Sequence, residues 1–127
     1  MKALPLRIGP DEDLRSALEA RAGDAGFVIA GIGSLHVAAL RFAGRKDAQA
    51  MEGPLEILTL SGSLSKDGAH LHMSVSDRDG RVFGGHVAKG CIVRTTAEVL
   101  IASLTGFRFS RETDPRSGFP ELVVRPR

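Results

Sequence analysis

The stretch His70-Leu71-His72-Met73-Ser74-Val75-Ser76-Asp77-Arg78-Asp79-Gly80-Arg81-Val82-Phe83-Gly84-Gly85-His86-Val87 alternates in polarity up to a turn and then comes back. Successive side chains of a strand point to opposite faces, so Leu71, Met73 and Val75 share one face and His70, His72, Ser74 and Ser76 the other. Asp77 to Gly80 is made of turn-favouring residues. A three-residue loop Arg78-Asp79-Gly80, with Gly80 in the left-handed conformation of a G1 bulge, pairs Asp77 with Arg81. That register sets Val75 opposite Phe83 and Leu71 opposite Val87. It also sets His72 directly opposite His86, with His70 two residues along. A two-residue loop would slip the return strand by one position and turn His86 to the other face. The hydrophobic pairing therefore selects the hairpin that gathers three imidazoles.

Opposed side chains in a sheet have Cβ atoms about 5 Å apart and i, i+2 neighbours about 7 Å apart, close enough for three imidazoles to converge on one divalent ion. Three nitrogens with a fourth position open resemble a catalytic rather than a closed structural zinc site. Gly84 and Gly85 have no side chains and leave space beside His86 for an ion, a ligand or another chain.

Outward from the hairpin, most of the chain reads as strand. Ala3 to Ile8 alternates weakly and suits an edge strand. The helix signal follows Pro10-Asp11-Glu12-Asp13, where an Asp can cap free amides and acids face the positive end of the macrodipole. Leu14, Ala17 and Leu18 continue it as an amphipathic stripe, and Gly23 is the stop. Phe27 to Ile32 is β-rich and bounded by glycines, which predicts a buried strand ending in a close turn. Val37 to Phe42 and Leu55 to Leu60 are further short strands, separated by the polar, Gly-containing stretch around Gly44 to Gly53, within which Ala48 to Met51 fits a turn of helix. Cys91 to Leu104 is long enough for a helix, but its β-branched residues favour a strand. Phe107 to Arg111 and Leu122 to Arg125 close the series around a loop at Asp114 to Gly118. One main helix near the N-terminus against a majority of strands predicts an α+β fold with a mainly antiparallel sheet. Open sheet edges and few helices to cover them argue for self-association.

Composition bounds the rest. The chain has 127 residues, 43% hydrophobic and 25% charged, with a net charge of +2, so no strong nucleic-acid field is imposed. Its longest apolar runs fall far short of the roughly 20 residues a membrane-spanning helix needs. Met1 to Pro5 opens no apolar stretch of signal-peptide length, and the lone Cys91 excludes an internal disulfide framework; together they predict a cytoplasmic location. Cys91 itself reads as a small buried hydrophobe.

Several blocks resemble the PPC (plants and prokaryotes conserved) domain family in its stand-alone bacterial form. Gly53-Pro54-Leu55-Glu56-Ile57-Leu58-Thr59-Leu60-Ser61-Gly62 is similar to that family's Gly-x-x-Glu-Ile-Leu-Ser-Leu-Ser-Gly signature. Gly31 to Leu35 with Ala39-Leu40-Arg41 looks like an earlier block, and His70 through Val99 like the bacterial-type core. The resemblance covers roughly residues 5 to 112 and implies a single PPC-like domain over 1–127. It further implies a homotrimer and a metal, zinc or another divalent ion, at His70, His72 and His86. Plant members join the domain to a minor-groove AT-hook and act in transcription. Gly44-Arg45-Lys46-Asp47 is not such a hook.

Three functions follow for weighing. The first is a homotrimeric module whose metal site binds a small ligand or protein partner. The second is a DNA-binding or transcription-associated regulator. The third is a metal-dependent enzyme, with Glu56 or Glu98 orienting a histidine or moving protons beside the metal. His36, just past Gly33-Ser34-Leu35, could touch the same site or a neighbouring subunit. Gly31-Ile32-Gly33 lacks the third glycine and the βαβ context of a dinucleotide site. Ser63-Leu64-Ser65-Lys66 matches S-x-x-K by letters alone. The C-terminal arginines and phenylalanines read as a solvated face and a hydrophobic tail packing on the sheet.

Overall fold

A computed structural model describes residues 1–127, in the order β1 (Lys2–Ile8), α1 (Leu14–Glu19), β2 (Gly26–Arg41), β3 (Gln49–Ser65), β4 (Gly68–Ser76), β5 (Val82–Val87), β6 (Ile92–Ser103), β7 (Phe107–Thr113) and β8 (Pro120–Pro126). The first six strands form one antiparallel sheet in the order β1-β6-β2-β3-β4-β5, and β7 pairs with β8 separately. The fold is thus mostly antiparallel strand with little helix. The helix starts after an Asp cap as expected, but it has six residues, and Gly23 follows it at φ +61. So short a helix has no stability of its own. Leu14 and Leu18 hold it down by complete burial, at roughly 1.5–3 kcal/mol for each side chain.

Two long strands differ from the short segments expected. Gly31-Ile32-Gly33 does not end a strand, because β2 runs on through it, paired with β6 and with β3. Val37 onward is the same strand after a bulge at His36. Gln49 to Met51 is neither a connecting loop nor a turn of helix but part of β3, held extended by its pairing with Ala38 to Leu40. The segment expected from Cys91 to Leu104 is strand β6 over Ile92–Ser103, and β1 is the sheet edge against β6.

The far end of β2 decides the shape of the sheet. Where β6 leaves β2, β5 takes its place, with Leu40 opposite Val87 and Arg41 opposite His86. The sheet therefore curls until its last strand meets its third. Leu35, Leu40, Leu60, Leu64, Leu71, Val75 and Ile101 fill the inside, all buried. The β7–β8 hairpin packs by Phe109, buried and edge-on to Phe27 with ring centroids 5.6 Å apart, as a hydrophobic tail should.

Candidate metal centre

The β4–β5 hairpin has the loop its sequence predicts. Gly80 sits at φ +80, its N–H donates to the Asp77 carbonyl at 3.1 Å, and the Asp77 N–H donates to the Arg81 carbonyl at 3.0 Å. The Asp77 carboxylate accepts from the Asp79 and Arg81 N–H groups and from Arg81 Nε, each at 2.9 Å. Desolvation opposes the charge of that carboxylate, but these bonds outweigh it and hold its pKa below the ordinary value. With the loop so pinned, Val75 pairs with Phe83 and His72 with His86.

The three imidazoles meet on the outer face of the sheet. Ring centroids lie 4.6 Å apart for His72 and His86, 5.1 Å for His70 and His72, and 5.5 Å for His70 and His86. One nitrogen from each ring lies within 4.8 Å of the other two. Tetrahedral zinc with bonds of about 2.0–2.1 Å spaces its nitrogens about 3.4 Å apart, so modest side-chain rotations suffice for this donor set. The all-imidazole set suits zinc, copper, iron or nickel rather than magnesium or calcium.

Electrostatics favour the ligating form. Burial lowers the His70 pKa, and Arg111, His72 and His86 lower it further against a smaller opposing pull from Glu121. Burial also lowers His86, followed by Arg41 and His72. Neutral imidazoles keep the lone pair a metal needs.

Two arginines flank the cluster, and neither stands out in the sequence as a site residue. Arg41 is the cross-strand partner of His86. Arg111, on β7, donates from Nη2 to Ser63 Oγ at 2.6 Å, and Ser63 is the cross-strand partner of His70. A cavity of about 650 Å³ opens between them, with His70 and His86 in its wall. Both contacts are long-range. Only the β2–β5 pairing and the docking of the terminal hairpin bring these side chains here.

The remaining sequence candidates lie elsewhere. Glu56 shares the histidine face but pairs with Ser76, four residues beyond His72, about 13 Å along the strand. Glu98 is on β6 opposite Arg7 and Ile32, with β2 and β3 lying between it and β4. Neither acid forms an ion pair. His36 is exposed on the β2 bulge, its Nε2 3.6 Å from Asp11 Oδ1. Gly84 and Gly85 serve strand approach rather than spare room. A Cβ on Gly85 would stand 2.8 Å from the Arg41 carbonyl oxygen, and one on Gly84 3.2 Å from that of Met73.

A curled antiparallel sheet with three clustered imidazoles on its outer face defines the class of this protein. The chain belongs to the Plants and Prokaryotes Conserved (PCC) domain family, whose family model matches residues 1–105, the same family its motifs resemble. Two curated relatives from Synechococcus sp., strains JA-2-3B'a(2-13) and JA-3-3Ab, each called bifunctional protein GlmU, are 45% identical to it. The match takes in 99% and 98% of this chain, but the chain spans only 21% of each relative's length. Among solved structures, a hypothetical protein from Salmonella cholerae-suis is 37% identical with a TM-score of 0.96, over 99% of this chain and 94% of that one. A protein from Bacteroides thetaiotaomicron, provisionally described as DNA-binding, is 26% identical with a TM-score of 0.83, over 95% and 91%. A metal-containing protein from Archaeoglobus fulgidus is 27% identical with a TM-score of 0.79, over 97% and 94%. No helix of the chain is long and apolar enough to cross a membrane.

Proposed function

We propose that the chain, residues 1–127 acting as one unit, is a homotrimeric cytoplasmic module that holds a divalent metal, zinc foremost, through His70, His72 and His86 and binds a small ligand or protein partner there. The observation that carries this reading is the convergence of the three imidazole nitrogens within 4.8 Å, on a hairpin whose loop fixes their register. The metal-containing Archaeoglobus relative supports it. Three protein ligands leave room for an exogenous fourth. The trimer is supported by exposed Ile29, Ile32, Leu58 and Leu100 on the same side of the sheet as the histidines. Metal content per chain, measured on untagged protein never exposed to chelator, tests the site. Near-stoichiometric metal in the parent and its loss in His72→Ala, with the mass by light scattering unchanged, is the expected result. No metal in either protein would leave the histidines a polar strand face.

DNA binding is the second reading, favoured by the description of the Bacteroides relative. The low net charge of +2 gives it little electrostatic support. A duplex-binding titration across a salt series decides it, and absence of affinity at low salt would reject it.

A further inference from the structure

We infer that the cavity beside the histidines binds a small organic anion, its acidic group clamped between Arg41 and Arg111; this deepens the metal-centre reading and rests on it for the oxygen that faces the imidazoles. The two arginines approach from opposite flanks, Arg41 across the rung from His86 and Arg111 through Ser63 opposite His70. Neither is in any of the seven ion pairs of the chain. Arg41 donates from Nη1 to the Arg45 carbonyl at 3.1 Å, and the Arg111 guanidinium donates only to Ser63. A guanidinium has five donors, so each keeps most of its fork free. Lys46, equally without an ion-pair partner, lines the same cavity.

Three acids share the wall, yet none forms an ion pair with these cations. Asp67 accepts from the backbone N–H of Arg111 at 2.9 Å and so positions β7. Asp47 and Glu121 also line the cavity, with no ion pair to any cation. Part-buried guanidinium groups beside a tri-imidazole centre are a like-charge arrangement once a divalent ion is bound, and a ligand anion relieves it. Arginine forks match the planar geometry of carboxylate and the oxygens of phosphate. The cavity, about 650 Å³, falls within the usual range for small-molecule sites, about 300–1,000 Å³. Phe119 and Pro120 in its wall offer apolar contact to a short carbon skeleton.

Carboxylate and phosphate share this recognition chemistry, so the test carries both. Malonate and inorganic phosphate are titrated by calorimetry into zinc-loaded and zinc-stripped protein, alongside Arg41→Gln, Arg111→Gln, Arg111→Lys and the distant control Arg94→Gln. Zinc content and circular dichroism are recorded for every sample. One anion should bind with one site per chain, at least tenfold more weakly in either Gln variant and unchanged in Arg94→Gln. The tighter of the two probes identifies the acidic group. Arginine-dependent binding that persists in protein holding no zinc would uphold the anion site while removing the metal from it. Binding of neither probe, or affinities indifferent to Arg41 and Arg111 in folded, zinc-loaded variants, would overturn the inference. Should Arg111→Gln lose its fold, Arg41→Gln and the charge-retaining Arg111→Lys decide the same question.

Discussion

Asp13 joins helix to sheet with a single carboxylate. One oxygen accepts from the Ser16 N–H at 2.9 Å and caps α1; the other accepts from the Gly90 N–H at 2.6 Å, in the turn that leads into β6. Burial opposes its charge, but the bonds from Gly90 and Ser16, with a smaller pull from Lys89, hold its pKa below the ordinary value. Asp13→Ala should cost about 1–2 kcal/mol at neutral pH, read from urea unfolding. Because the folded pKa is depressed, the contribution of the charge is fully present above the unfolded pKa and is lost as pH falls through the folded one. The stability gap between the parent and Asp13→Asn should accordingly narrow as pH drops from about 5 to about 3. Cys91 is the opposite case, a group kept uncharged. Burial pushes its thiol up to about 11, and its Sγ is enclosed between the N–H and carbonyl of Ala39, at 3.3 and 3.4 Å. A thiol reagent at pH about 8 should modify it only after unfolding, since the thiolate is the reactive form. Rapid labelling of the native protein would contradict that burial.

At the scale of elements, the closure of β5 on β2 depends on the absence of a side chain at Gly85. A methyl there would meet the Arg41 carbonyl oxygen at 2.8 Å, a backbone atom that cannot swing aside. Gly85→Ala should therefore cost about 1–3 kcal/mol, seen as a lower denaturation midpoint, and weaken retention of the proposed metal by displacing His86 from its rung. An unchanged midpoint would mean that the strand junction is slack. This junction also marks where sequence stops being sufficient. The β4–β5 hairpin is legible because a local loop and a two-residue period fix its register together, and these two local signals are enough to set His72 opposite His86. The continuity of β2 through Gly31-Ile32-Gly33 is not legible, since glycines at that spacing look like a turn until β3 and β6 are seen paired on either side. Arg41 and Arg111 escape for the same reason. Nothing within several residues of either signals a partner 45 or 48 positions away in the chain, where His86 and Ser63 lie.

At the scale of the whole molecule, the sheet has one filled side and one side left open. The inside is packed with leucine and valine, while the outside carries Ile29 and Ile32 on β2, Leu58 on β3 and Leu100 on β6, all exposed. The register makes them neighbours. Ala30 pairs with Leu100, and Ile32 and Leu58 lie one step beyond the Gly33–Ile57 rung. Following β3 onward from Leu58 leads through Thr59 to Ser61 opposite His72, so the apolar patch and the imidazole cluster share the outer face with a polar strip between them. Contiguous apolar surface of this kind marks an interaction site, and a second copy of the chain satisfies it symmetrically. If the proposed trimer forms through this face, Ile32→Asp sets a charge in its middle and should reduce the mass by light scattering from that of three chains to that of one, 13.5 kDa, because a buried unpaired carboxylate costs far more than an exposed one. The metal content of that variant then carries separate information. His70, His72 and His86 all come from the two strands of one hairpin, so on the proposed reading a dissociated chain should keep the metal. Loss of metal together with loss of mass would instead mean that the fourth ligand comes from the neighbouring copy, and that assembly and metal binding are one event.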